Sequence, residues 1–190
     1  MFRDLIERIA KSLDQSGLPY MIIGGQAVLY YGEPRFTKDI DITLGVDTGG
    51  LAEVTSLTAR LDLNPLVKDV EDFVKKTMVL PAQDRSTGIR VDFIFSHSFY
   101  ERQAIDRVRT IRFGAVSVKI ASLEDVVIHK IVAGRPRDIE DIKNMLLKNP
   151  DYDKGYVIHW LKKFDESLGG SFSKAFEEIE RTIGSDFSLP

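Results

Sequence analysis

Residues 21–44 read MIIGGQAVLYYGEPRFTKDIDITL, and the fold turns on how this stretch divides. Its apolar start, taken with Tyr20, has the makings of a short buried strand over 20–23. Gly24-Gly25 then makes a turn, residues 26–31 follow as a short helix, and Gly32 and Pro34 end it. From residue 39 acids and aliphatics alternate, Asp39-Ile40-Asp41-Ile42, the two-residue period of a strand over 39–45.

Successive strand side chains point to opposite faces, so Asp39, Asp41 and Thr43 share one face while Ile40, Ile42 and Leu44 can enter a core. A later stretch, IRVDFIF at 89–95, divides the same way, with Val91, Phe93 and Phe95 apolar and Arg90, Asp92 and Ile94 opposite. If these two strands pair, Asp92 joins Asp39 and Asp41 on one patch. Three carboxylates that close repel one another and raise each other's pKa values. A divalent cation removes the conflict, and Mg²⁺ takes oxygen ligands while keeping water and phosphate oxygens in its shell. Two such ions could activate an attacking hydroxyl and stabilise a leaving pyrophosphate. Asp is depleted in strands, so mere solvated decoration explains two of them in one short strand poorly. A calcium loop fits less well, because Ile40 and Ile42 are too apolar for it.

Outward from this stretch, Leu5, Ile6, Ile9 and Leu13 mark one face of an N-terminal helix over 3–15, stopped by Gly17 and Pro19. Helices are expected over 51–61 and 70–77, and strands over 78–80 and 89–95 with a turn at 84–88 between them. Residues 110–113 and 116–120 flank Gly114-Ala115 as a hairpin. Ser122 and Asp125 have the spacing of a capping box opening a helix to 133, and further helices are expected over 137–147, 155–167 and 172–183. The expected fold is α+β: a mixed β-sheet with flanking helices over residues 1–121, and a helical C-terminal region, 122–190, packed on that core.

Of the 190 residues 43% are apolar and 29% charged, as in ordinary globular proteins. The absence of cysteine excludes disulfides, thiolate zinc sites and a cysteine nucleophile. No stretch approaches the roughly 18 apolar residues of a membrane span, and the charged amphipathic start is no signal peptide. A cytoplasmic location and no membrane partner are expected. The net charge of −3 gives no global argument for nucleic-acid binding, although eight Lys and Arg face four Asp and Glu over 101–137.

Gly24-Gly25 precedes a helix N-terminus, whose free N–H groups suit an anion such as a triphosphate. Arg35 and Lys38 flank the acid pair; Arg35 could grip phosphate as a fork, whereas Lys38 reads as a surface charge. Lys130 continues the helical stripe of Leu123, Val126 and Val127, which turns it inward toward a partner, either a phosphate or an acid. On that expectation Lys130→Met would weaken nucleotide binding with little effect on stability. Asp138 and Asp141 could orient Lys130 or Arg135, or charge the first turn of their helix, the second being preferred. His97, His129 and His159 have no metal-ligand spacing, and Trp160 sits in a helical stripe as core.

Gly24-Gly25, Asp39-Ile40-Asp41 and Asp92 together resemble the signature of the nucleotidyltransferase superfamily that shares the DNA polymerase β fold. Arg35-Phe36-Thr37-Lys38-Asp39-Ile40-Asp41, with Lys130 to Asp138 and Asp141, is similar to the AbiEii-type and related uncharacterised prokaryotic subgroup. The resemblance covers residues 20–145. It implies Asp39, Asp41 and Asp92 as catalytic Mg²⁺ or Mn²⁺ ligands, with Asp92 also the base toward an acceptor hydroxyl. It further implies Gly24, Gly25, Arg35 and Lys130 as contacts to the NTP, ATP among the candidates. The acceptor would be an RNA 3′ end such as that of tRNA, a protein or a small molecule, and a toxin–antitoxin partner belongs to the same expectation. Two alternatives stay open: a non-catalytic, antitoxin-like interaction protein of the same fold, and a metal-dependent phosphohydrolase.

Overall fold

The computed structural model describes residues 1–34 and 36–186. Helix α1 (Phe2–Ser16) leads into β1 (Tyr20–Ile23), α2 (Gly24–Tyr31) and β2 (Asp39–Leu44). A 3-10 turn at Thr48–Gly50 precedes α3 (Leu51–Arg60), β3 (Leu63–Pro65), α4 (Val70–Thr77), β4 (Val79–Asp84) and β5 (Arg90–Phe95). Next come α5 (Phe99–Asp106), β6 (Arg109–Phe113), β7 (Val116–Ile120), α6 (Leu123–Ala133), α7 (Pro136–Lys148), α8 (Lys154–Leu168) and α9 (Phe172–Asp186). The expected α+β class is what the chain adopts.

The strands form one seven-stranded mixed sheet in the order β3-β4-β5-β2-β1-β7-β6. Its middle is set by β2, antiparallel to β1 and parallel to β5. The alternation read in the sequence decides which face is buried. Ile40, Ile42, Leu44, Val91, Phe93 and Phe95 are all fully buried, whereas Asp39, Asp41 and Asp92 on the other face keep partial exposure. Helix α1 buries Leu5, Ile6, Ile9, Ala10 and Leu13 and stops at Gly17 in the left-handed conformation. That apolar stripe is the period expected of an amphipathic helix.

The chain divides into two compact units, Met1–Ala27 with Phe36–Ala121, and the described parts of Val28–Arg35 with Ser122–Pro190. The first holds the sheet. In the second, α6 to α9 surround a core of Ile131, Ile142, Met145, Val157, Leu161, Phe176 and Ile179. Ser122 caps α6, its hydroxyl accepting from the Asp125 N–H at 3.1 Å, as the sequence spacing predicts. Lys148 Nζ donates to the Gly32 carbonyl at 2.9 Å and Asn149 Nδ2 to the Tyr31 carbonyl at 2.8 Å, which satisfies the carbonyls at the end of α2. Residues 28–34 thus group with the helices, a detail the expected boundary at 121 does not contain.

Three elements differ from expectation. β4 runs through Pro81 to Asp84 instead of stopping at Leu80, paired with β5 from Val79↔Ile94 to Gln83↔Arg90. β3 is a short edge strand whose Asn64 and Pro65 hide its strand character. α5 opens on a capping box, Ser98 accepting from the Glu101 N–H at 3.1 Å and Glu101 from the Ser98 N–H at 2.9 Å. The Ser98-x-x-Glu101 spacing is the signal that locates this helix in the sequence.

The β4–β5 turn is held by Asp84, whose side chain is 1% exposed. Oδ2 accepts from the Ser86 and Thr87 hydroxyls at 2.6 Å each and from the Thr87 N–H at 2.9 Å, and Oδ1 from Arg8 at 3.2 Å. Burial pushes this carboxyl's pKa up, but the hydrogen bonds from Ser86, Thr87 and Arg8 outweigh it and hold the pKa below the ordinary value. A depressed folded-state pKa stabilises the fold above the unfolded-state value of about 3.9, and the stabilisation is lost as pH falls through the folded value. Asp84→Asn should therefore lose about 1–3 kcal/mol at neutral pH. Urea titrations across the acid range should show a shallower acid loss in the variant than in the wild type.

Candidate active site

The acid face is built from the parallel pairing of β2 and β5. Asp41 and Asp92 are partners in register, and Asp39 stands opposite Arg90. Neighbouring strands lie about 4.8 Å apart, so Asp41 and Asp92 project side by side from one surface. The glycine turn is tied to the same point. Gly24 has φ +61°, and a Cβ on it would fall on the Asp41 carboxylate. Only glycine therefore permits both the backbone conformation and the approach of Asp41 to the start of α2. Gly25 is buried in that first turn. Thr37 Oγ1 donates to the Asp39 carbonyl at 3.2 Å and lies 3.3 Å from Asp39 Oδ1, fixing the entry to β2.

Among the described residues Arg90 brings a countercharge to this cluster. Its Nε donates to Asp92 Oδ1 at 2.8 Å, with Asp92 15% exposed and Arg90 51%. The hydrogen bond to Asp92, then the charges of Asp92, Asp39 and Asp41, raise the pKa of the guanidinium. The same cation thus feels all three acids. Among the described residues no three acid or imidazole side chains stand in metal-ligating geometry. The donor chemistry still fits a hard divalent cation: three carboxylates on one face, two of them neighbours in register. Asp39, Asp41 and Asp92 would hold it, with Asp92 turning from Arg90.

Lys130 is buried, as its place in the stripe predicts, but its partners are acids of its own helical unit. Nζ lies 2.6 Å from Asp138 Oδ1 and 2.7 Å from Asp141 Oδ2. Asp138 Oδ2 also accepts from the Arg135 N–H at 3.3 Å, so both roles considered for this acid coexist. Lys130, Arg135 and Asp138 line a cavity of about 380 Å³ between α6, α7 and α9. Arg35 lies outside the described residues, and Lys38 is an exposed side chain.

The family of nucleotidyltransferases of unknown function, DUF6036, matches residues 1–154. The chain belongs to this family. No curated protein sequence matches it. Solved structures share the fold of this DUF6036 nucleotidyltransferase at low identity. An antigenic nucleotidyltransferase-like protein from Paracoccidioides brasiliensis is 19% identical over 91% of this chain and 92% of its own, with a TM-score of 0.58. The lincomycin-bound lincosamide antibiotic adenylyltransferase LnuA is 16% identical over 75% and 94%, with a TM-score of 0.54. ANT(2'')-Ia, in complex with adenylyl-2''-tobramycin, is 16% identical over 98% and 99%, with a TM-score of 0.51. Among the described residues no helix is long and apolar enough to cross a membrane.

Two expectations follow for this DUF6036 nucleotidyltransferase. Gly24→Ala should destabilise it by about 1–3 kcal/mol, from the left-handed backbone and the clash with Asp41. A crystal structure of that variant should show the Asp41 carboxylate displaced. Lys130→Met, contrary to the sequence expectation, should cost about 3–5 kcal/mol, because it takes the ammonium from buried Asp138 and partly buried Asp141. Chemical denaturation measures it directly, and a Lys130→Met protein as stable as the wild type would contradict this account.

Proposed function

We propose that this DUF6036 nucleotidyltransferase transfers a nucleoside monophosphate from an NTP to a hydroxyl acceptor at the β2–β5 acid face. The observation that carries the reading is Asp41 beside Asp92 in parallel register, with Asp39 on the same face and Gly24 leaving room for Asp41. Such a face is suited to a triphosphate only with a divalent cation, because carboxylates alone would repel it.

The triphosphate would lie at the start of α2, where the Gly24-Gly25 backbone opens the helix beside the Asp41 carboxylate. Asp92 would accept the acceptor hydroxyl's proton as that oxygen bonds to the α-phosphorus. The bond from the α-phosphorus to the bridging oxygen breaks, and pyrophosphate leaves with the electron pair. Asp39 and Asp41 would hold the cation against which the reacting groups line up. Mg²⁺ or Mn²⁺, when bound, lowers the acceptor's pKa and offsets charge on the leaving group. Arg35 is a further candidate for the triphosphate. In this reading Lys130, paired with Asp138 and Asp141, supports its helical unit instead of the nucleotide.

The acceptor class is narrowed by charge. A net charge of −3 disfavours a long nucleic-acid footprint, while a single RNA end, a protein hydroxyl or a small molecule remains compatible. The adenylyltransferases LnuA and ANT(2'')-Ia, named with lincomycin and adenylyl-2''-tobramycin, favour a small hydroxylated molecule within that set.

Labelled NTP with Mg²⁺ and fractionated acceptors tests the reading. Pyrophosphate release with label transfer is the expected result. Release of inorganic phosphate alone would indicate a phosphohydrolase, and no nucleotide turnover with any acceptor would indicate a binding protein. Asp41→Ala should lower transfer at least about a hundredfold, while its metal-free melting temperature holds or rises as like-charge repulsion is relieved. Wild-type activity in Asp41→Ala would place the chemistry elsewhere.

A further inference from the structure

Arg90 sits where a metal ion's charge is wanted. It lies two residues before Asp92 on the same face of β5, and Asp39 stands opposite it in β2. Its Nε holds Asp92 Oδ1 at 2.8 Å. Among the described residues Arg90 relieves part of the repulsion that the three carboxylates create. A guanidinium cannot be relieved of its proton near neutral pH, so it leaves the acid only by moving. Arg90 is 51% exposed, and its long side chain can swing without moving the strand.

These facts set up a competition. A cation approaching Asp92 meets a positive charge already bound to that carboxylate. An incoming triphosphate reverses the situation, because it offers the guanidinium a better partner in the fork geometry that phosphate oxygens accept. We propose that Arg90 is an internal counter-ion that occupies Asp92 until a nucleoside triphosphate draws it away, so that metal and nucleotide bind cooperatively through it. Arg90 is thus a positioning residue: it acts on the metal site through Asp92 and on the triphosphate directly. The inference rests on the nucleotidyl-transfer reading. It adds that the metal site is closed in the nucleotide-free protein and opened by the substrate.

The test is Mn²⁺ binding to the full chain without nucleotide, followed by calorimetry or electron paramagnetic resonance, for wild type, Arg90→Gln and Arg90→Lys. Arg90→Gln should bind Mn²⁺ about tenfold more tightly than wild type. Its metal-free melting temperature should fall, and Mn²⁺ should restore it. With EDTA present, Arg90→Gln should bind a non-hydrolysable NTP analogue about tenfold more weakly than wild type. Arg90→Lys keeps the charge without the fork, and its Mn²⁺ affinity should stay near that of wild type. It also serves as the second variant should the neutral one fold poorly. Equal Mn²⁺ affinity in wild type and Arg90→Gln would overturn the counter-ion role and leave the transfer reading standing. Weaker Mn²⁺ binding in Arg90→Gln would also overturn it, since Arg90 would then be orienting Asp92 for the metal. No Mn²⁺ binding by any variant, with or without the analogue, would sink the transfer reading itself.

Discussion

The register between β2 and β5 is the constraint on which the rest of this protein depends. It sets Asp41 beside Asp92 and Asp39 beside Arg90. A slip of β2 by one residue would carry Asp39 and Asp41 to the face lined by Val91 and Phe93, where an unpaired carboxylate is severely disfavoured. The same slip would bring Ile40, Ile42 and Leu44 to the acid face. The hydrophobic pattern thus enforces the register, and the register creates a patch of mutual repulsion. Folding supplies the stability that this patch opposes, through fully buried Phe93 and Phe95 and their neighbours.

What neutralises the patch decides how the site behaves. Among the described residues Arg90 supplies a countercharge, held on Asp92 and influenced by all three acids. Gly24 contributes by subtraction, since its missing side chain is the space that the Asp41 carboxylate occupies. The glycine turn and the acid pair are therefore one device, although fourteen residues separate Gly24 from Asp39 along the chain.

Much of this was legible in the sequence because it rests on short-range periodicity. The alternation of Asp39 to Leu44 and of Arg90 to Phe95 fixed both faces, and Ser122-x-x-Asp125 fixed the start of α6. What was not legible depends on partners distant in the chain. Lys130 reads as an inward lysine in search of an anion, and nothing local says that the anions are Asp138 and Asp141. Arg90 reads as the polar side of a strand, and its role emerges only when β5 lies against β2. β3 escaped because edge strands tolerate Asn and Pro. Asp84 looks like a turn residue in sequence and proves to be a buried hub, because Arg8 reaches it from α1.

The central claim is that the β2–β5 acid face is where metal and triphosphate meet. Its most direct test is a crystal structure of the wild-type chain grown with Mn²⁺ and a non-hydrolysable NTP analogue, read by anomalous scattering at the manganese edge. The account predicts anomalous density between Asp41 and Asp92, the triphosphate at Gly24-Gly25, and Arg90 withdrawn from Asp92. Manganese and nucleotide bound elsewhere, with the Arg90–Asp92 pair intact, would contradict it.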